Sequence, residues 1–189
     1  MSSEVDICNM GLYLLGAEPI ASISPPENTD RARVCFLWYP KSRDAVLRAH
    51  NWNFATYRKT ISAEVTTPLN GYSYQFVLPT DPYCLRVIEV NDDPEAEWVI
   101  EGRRLLTDDS TVILKFIAQI TNPGLFDPLF IECLAAKLAT DLSMPITKSQ
   151  EVMEAMNKLY EWKLAEARRL NDHEMGKVLE PTSTFITVR

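Results

Sequence analysis

The chain is 189 residues long, 46% hydrophobic and 24% charged, which is ordinary globular material able to bury a core of its own. With 26 acidic against 19 basic residues, its formal net charge of −7 excludes a protein whose main task is gripping nucleic-acid phosphate, though not one that DNA merely passes. The four cysteines (Cys8, Cys35, Cys84 and Cys133) are scattered through apolar contexts without a Cys-x-x-Cys pair, and two histidines are too few to complete a zinc tetrad, so they read as reduced core thiols.

The N-terminal residues carry two early acids, Glu4 and Asp6, and no basic leader, and no apolar run approaches the ~20 residues needed to span a bilayer. Both features predict a protein of a cytoplasm-like compartment. Ser3 with Asp6 resembles a capping box, Val5, Cys8, Leu12 and Leu15 follow at helical spacing, and Gly16 is a natural stop, predicting a first helix over about 3–16. A proline-rich loop follows. Asn28 or Thr29 then caps a second helix over about 29–49, with a kink or restart expected at Pro40. Val34, Cys35, Trp38, Val46 and Leu47 supply its apolar faces, while Lys41, Arg43, Asp44 and Arg48 form a solvated or partner-facing side.

Over about 52–121 the pattern changes to strands. YSYQFVL (72–78) and CLRVIEV (84–90) alternate, and TVILKFIAQI (111–120) is rich in β-branched and aromatic residues. NDDP (91–94) and EGRR (101–104) are turn chemistry, so one inserted antiparallel sheet is the economical expectation. Asp127 and Pro128 then open an apolar, central helix over about 127–143. SMPIT (143–147) reads as a tight connection, and Thr147 with Gln150 as the capping box of a helix over about 148–172. That helix carries Met153, Met156, Tyr160, Leu164 and Ala167 on one stripe and a Glu154–Lys158 pair on its surface. The expected fold is therefore α+β: a bundle of about four helices with an inserted antiparallel β region, forming one body over 1–175. The β-branched segment 176–189 is expected to be an extended tail able to pair with another molecule's edge, a disordered end being the equal alternative.

Chemistry has few footholds. No phosphate-cradling, dinucleotide, zinc-protease, nucleophile-elbow or EF-hand motif occurs. A cysteine–histidine arrangement would need Cys35 or Cys133 with His50 and an asparagine. Yet His50 lies in LRAHNWNFAT (47–56), at a predicted helix end, with Trp52 and Phe54 as inward residues of a strand starting there. That stretch reads as a structural joint. The acid pairs Asp92–Asp93, Asp108–Asp109 and Glu95 with Glu97 fall in turns or on polar strand faces. A divalent cation at Asp108 and Asp109 would lack further converging oxygens.

Six segments, in this order, carry a resemblance: ICNMGLYLLGAEPI (7–20), RARVCFLWYPKSRDAVLRAHNWNFA (31–55), LPTDPYCLRVIEV (78–90), WVIEGRRLL (98–106), FDPLFIECLAAKLA (126–139) and AEARRL (165–170). Together they resemble the tail tubular protein A family of short-tailed bacteriophages, the head-to-tail adaptor or connector proteins, and residues 172–189 match it least. The resemblance implies a helical bundle with a β-sheet part, and a non-enzymatic, cofactor-free virion protein made in the bacterial host cytoplasm. It implies a dodecameric ring beneath the portal protein that extends the DNA channel and seats the tail nozzle or fibres, with the free protein possible as a monomer. A ring requires a heterologous interface. Arg43 and Arg48 on the second helix, and Glu161, Glu166, Arg168 and Arg169 on the last, are candidates for intersubunit pairs, each against the alternative of a solvated surface charge. Phe185, Ile186, Val188 and Arg189 are the tail residues placed to add a strand to the portal or a neighbouring copy. The acidic balance suits a channel wall that repels DNA phosphate and lets it slide. The rival readings are a small cysteine–histidine enzyme and an acidic regulatory interaction module.

Overall fold

A computed structural model describes residues 2–69 and 71–174. Four helices, α1 (Glu4–Leu14), α2 (Asp30–Arg48), α3 (Pro128–Thr147) and α4 (Gln150–Glu174), enclose in sequence six strands. These are β1 (Thr56–Ile61), β2 (Tyr74–Val77), β3 (Cys84–Val90), β4 (Trp98–Glu101), β5 (Arg104–Thr107) and β6 (Val112–Ala118). The α+β architecture matches the expectation. The β region differs in one respect: it forms two three-stranded antiparallel sheets, ordered β1-β6-β3 and β2-β5-β4, rather than one. The tail expected over 176–189 lies outside the described residues.

Local chemistry accounts for the helix ends. Ser3 and Asp6 make the expected reciprocal capping box, and Gly16 at φ +67° ends α1, its N–H bonding Tyr13 O while Ala17 N–H bonds Leu12 O. Thr29 caps α2, and Asp127 accepts from Leu129 N (2.8 Å) and Phe130 N (3.3 Å) at the start of α3. Pro40 does not restart α2, which runs through it unbroken; the ring sits on the exposed side, where water can replace the hydrogen bond proline cannot make. SMPIT is likewise helix rather than connection. Pro145 is exposed in the last turn of α3, Thr147 donates to Ser143 O, and Lys148 at φ +55° makes the turn. Ser149, not Thr147, accepts from the first turn of α4 at Val152 N. Glu154 accepts from Gln150 instead of pairing with Lys158.

Helix α3 is the centre of the bundle, packed by α1, α2 and α4, and its Phe130, Cys133, Leu134, Leu138, Ala139 and Leu142 are all buried. Polar links fix the packing: Ser42 of α2 and Lys137 of α3 both donate to Asp141, and Lys163 of α4 donates to Glu132 at 2.6 Å. In the sheets, β3 turns at Asn91 and Asp92, both left-handed (φ +58° and +51°), a conformation that Asn and Asp tolerate. The β4–β5 hairpin turns on Gly102 at φ +60°.

The α1–α3 crossing is closest at Gly11, where an added Cβ would lie 3.2 Å from both Ala135 O and Leu138 Cβ. Gly11→Val should therefore force the helices apart and cost about 1–3 kcal/mol, read as a lowered denaturation midpoint. Gly11→Ala should be closer to neutral, because the tight contact is offset by a gain of up to ~1 kcal/mol in helix propensity.

Candidate functional site

The segment after α2 has to turn the chain from bundle to sheet, and it does so without the strand expected at Trp52. Asn53–Ala55 is one turn of 3-10 helix, closed by Ala55 N–H to Trp52 O, and β1 begins only at Thr56. Trp52 is inward all the same. Its Nε1 donates to Val46 O at 2.9 Å, and its ring meets Phe130 edge-on at 5.2 Å, in a cluster with Phe54 and Phe126.

Burying Trp52 withdraws the neighbouring backbone from water, and α4 supplies the missing partners. Asn171 accepts from Asn53 N–H through its side-chain oxygen and from Asn53 Nδ2 through its carbonyl, both at 3.0 Å. Its own Nδ2 donates to Asn51 O at 3.1 Å and lies 3.0 Å from His50 Nε2. Arg168 donates to Ala49 O, placing a positive charge at the carboxyl end of α2. From β3, Arg86 donates to Asn51 Oδ1 at 2.6 Å. His50 Nε2 also stands 3.2 Å from Asp172 Oδ1, and its ring is edge-on to Trp52 at 5.0 Å. Burial holds the His50 pKa below its ordinary value, with Arg168 and Arg86 adding to the effect and Asp172 opposing it. The neutral ring accepts the second Nδ2 hydrogen of Asn171; the protonated ring must give that bond up and turn to Asp172. His50 is thus the joint anticipated from the sequence, and its polar partners, Asn171 and Asp172, include no thiol.

The cysteines are all free and buried. Cys8 on α1 and Cys35 on α2 act on each other's titration: Cys35, with burial, raises the Cys8 pKa, while Cys8 lowers that of Cys35 against the opposing effect of burial. Burial pushes Cys84 up to about 11 and Cys133 to about 12, opposite to what a nucleophilic thiolate needs. The acid pairs diverge: Asp92 pairs with Arg58, Asp108 accepts from Ser73, and Asp109 accepts from Asn91. Among the described residues no group of His, Cys, Asp and Glu side chains is arranged to hold a metal ion, and no helix is long and apolar enough to cross a membrane.

The predicted contact residues fare unequally. Arg43 is not on a solvated side: it is 6% exposed and pairs with Asp44 at 2.8 Å, while Asp44 also accepts from Gln119 next to β6. The α2 face carrying it turns inward because Ser42, Val46 and Leu47 beside it pack on the core. Arg168 is half-buried and committed to Ala49 O, and Glu166 pairs with Lys163, so both work within the chain. Arg48, exposed, donates to Leu85 O; Arg169 and Glu161 are exposed, the latter accepting from Asn157. Phe185, Ile186, Val188 and Arg189 lie outside the described residues.

Two apolar surfaces escaped the sequence reading. One is a mainly apolar groove of about 390 Å³ between α1 and α4, floored by Ala135 and Ala136 and walled by Met10, Tyr13, Leu14 and Leu159, with the Lys163–Glu132 ion pair also lining it. Tyr13 is 62% exposed there, and Trp162 nearby on α4 is 59% exposed. The other is Phe36 and Leu37 on α2, 52% and 51% exposed. The signal was present: ICNMGLYLL and VCFLWY are apolar on every side of a helix, so one stripe cannot account for them. No protein-family model matches the chain, and no curated protein matches it in sequence.

Two measurements follow from the joint and the thiols. Because the His50 pKa is depressed on folding, its contribution is fully present above about pH 6.5 and is lost as pH falls through the lower folded value. Denaturation between about pH 7 and pH 5 should show stability falling with acid, with a shallower slope in His50→Gln. In the native protein all four thiols should react slowly with a maleimide at neutral pH and quickly in denaturant. One fast native thiol would revive the cysteine–histidine enzyme.

Proposed function

We propose that this protein is a head-to-tail adaptor of a short-tailed phage, a structural subunit that assembles in a ring beneath the portal and whose activity is docking rather than catalysis. Six ordered segments resembling that adaptor family support the reading, and one structural observation carries it: two apolar surfaces on different helices, sharing no residue, are left open to water. Scattered exposed apolar residues need no explanation, whereas a contiguous apolar groove marks an interaction site. A heterologous ring contact needs two unlike surfaces on each copy, and the α1–α4 groove with the Phe36–Leu37 ridge is such a pair. In this proposal the ridge of one copy seats in the groove of the next. Alanines form the groove floor, leaving room for a bulky side chain. Arg48 and Arg169, exposed beside these elements, remain available for rim contacts, which contribute mainly orientation.

The portal, the tail nozzle or fibre protein, and DNA threading the channel without sequence readout are the partners of this reading. Its direct test is the neck of the purified particle: density or mass-spectrometric signal for the chain between capsid and tail supports it, and absence of the chain from the particle overturns it. Tyr13→Glu and Phe36→Glu should each leave the fold intact, within about 0.5 kcal/mol as for exposed positions generally, yet abolish ring assembly on the portal in mass measurements. Mixed together, the two variants retain one intact groove–ridge combination. They should form heterodimers but no ring.

A further inference from the structure

The arginines of this acidic chain are not distributed evenly with respect to their counter-charges. Arg31, Arg33, Arg43, Arg58 and Arg104 each pair with a carboxylate. Arg48, Arg86, Arg103, Arg168 and Arg169 do not, among the described residues, and the first three line a single cleft. It has a volume of about 500 Å³ and is walled by β3 of one sheet, β4 of the other and the end of α2. Its remaining lining comes from apolar and aromatic groups, Tyr83 and Trp98 among them, and no acidic residue contributes. In a chain of net charge −7, a cleft with three guanidiniums and no acid is a local inversion of sign.

We propose that this cleft is a binding site for a small polyvalent oxyanion, a phosphate or carboxylate group carrying at least two negative charges. This goes beyond the adaptor reading and does not depend on it. Like charges are held together only at a cost, and the fold relieves that cost incompletely. Arg103 is well fixed: it donates to Cys84 O, Leu78 O and Pro79 O and stacks on Tyr83 at 4.0 Å. Arg86 is less satisfied, with Nη2 on Asn51 Oδ1 and a buried Nε that has no hydrogen-bond partner. Burial and the neighbouring charges of Arg48 and Arg168 hold its pKa below the usual arginine value, the direction expected of a cation lacking its counter-ion. Arg103 and Arg48 both pull the buried Cys84 thiol back down, so their fields converge on one wall of the cleft. Arg48 uses a hydrogen on Leu85 O and leaves most of its donor fork free. Guanidinium forks fit carboxylate and phosphate oxygens in pairs, and the volume falls in the range of small-molecule sites. An anion here would accept from the free donors of Arg48 and offset the repulsion that Arg86 experiences.

Isothermal titration of the full chain at low ionic strength, with pyrophosphate in one arm and citrate in the other, tests the proposal and separates the two kinds of oxyanion. Saturable binding of at least one is expected, weakening as sodium chloride is added. Arg86→Gln and Arg48→Gln should each weaken it roughly tenfold, the loss expected for one charge-assisted contact. Arg169→Gln, on the exposed side of α4 and outside the cleft, should bind like the wild type. Circular dichroism checks that each variant is folded. Should Arg86→Gln unfold through loss of its bond to Asn51, Arg48→Gln decides alone, since its side chain is exposed. Absence of saturable binding in both arms, or binding that ignores the Arg48 substitution, overturns the proposal.

Discussion

The fold depends on where the backbone of residues 49–53 finds its hydrogen-bond partners. Burying Trp52 against Phe130 draws this turn out of water, and a buried backbone group left unpaired costs about 1–3 kcal/mol. The partners come from α4: Arg168 for Ala49 O, and Asn171 for Asn51 and Asn53. The last helix is therefore more than a packing element. Its placement is set by Lys163 on Glu132 at its middle and by the Asn171 bonds to the joint near its C-terminal end, and a shift of one turn would break both. The joint between bundle and sheets is thus completed only when the far end of the chain has docked.

How much of this was legible follows from the range of each interaction. Capping by Ser3, Thr29 and Asp127 is local, operates over three residues and was readable from spacing alone. Pro40 and Pro145 misled for the opposite reason. A proline's effect depends on whether its side of the helix faces water, which spacing alone does not reveal. The β region was recognisable by its alternation, but its division into two sheets depends on pairing β2 with β5 and β1 with β6, contacts between distant segments. Trp52 was correctly judged inward from its apolar bulk, although the local structure is a 3-10 turn. Asn171 could not have been identified, since nothing in NDHE marks one asparagine as the partner of residues more than a hundred positions earlier.

Charge shows the same division between local and long-range causes. Asp92, Asp108 and Asp109 lie in exposed turns as their local sequence suggested, although the Arg58, Ser73 and Asn91 groups bonded to them come from distant segments. Arg43 looked like its neighbour Arg48 in sequence, yet one is buried with Asp44 and the other is exposed, because they lie on different sides of α2. A rule that treats helix arginines as surface charges fails when the helix, like α2, is covered by the core on one side and meets a sheet at its end.

Two unlike features thus mark the two parts of the fold. The helices keep apolar surface in water, which costs solubility unless another chain covers it, and the sheets keep positive charge without counter-ions. Arg86 connects the two parts: it lines the cleft and also holds Asn51, the residue whose carbonyl is bonded by Asn171 of α4. A charge taken up in the cleft therefore acts on a side chain that is part of the joint itself. Arg86 holds the Asn51 side chain, and the Asn51 carbonyl accepts from Asn171 near the end of α4. The same network of polar contacts stiffens the joint between bundle and sheets.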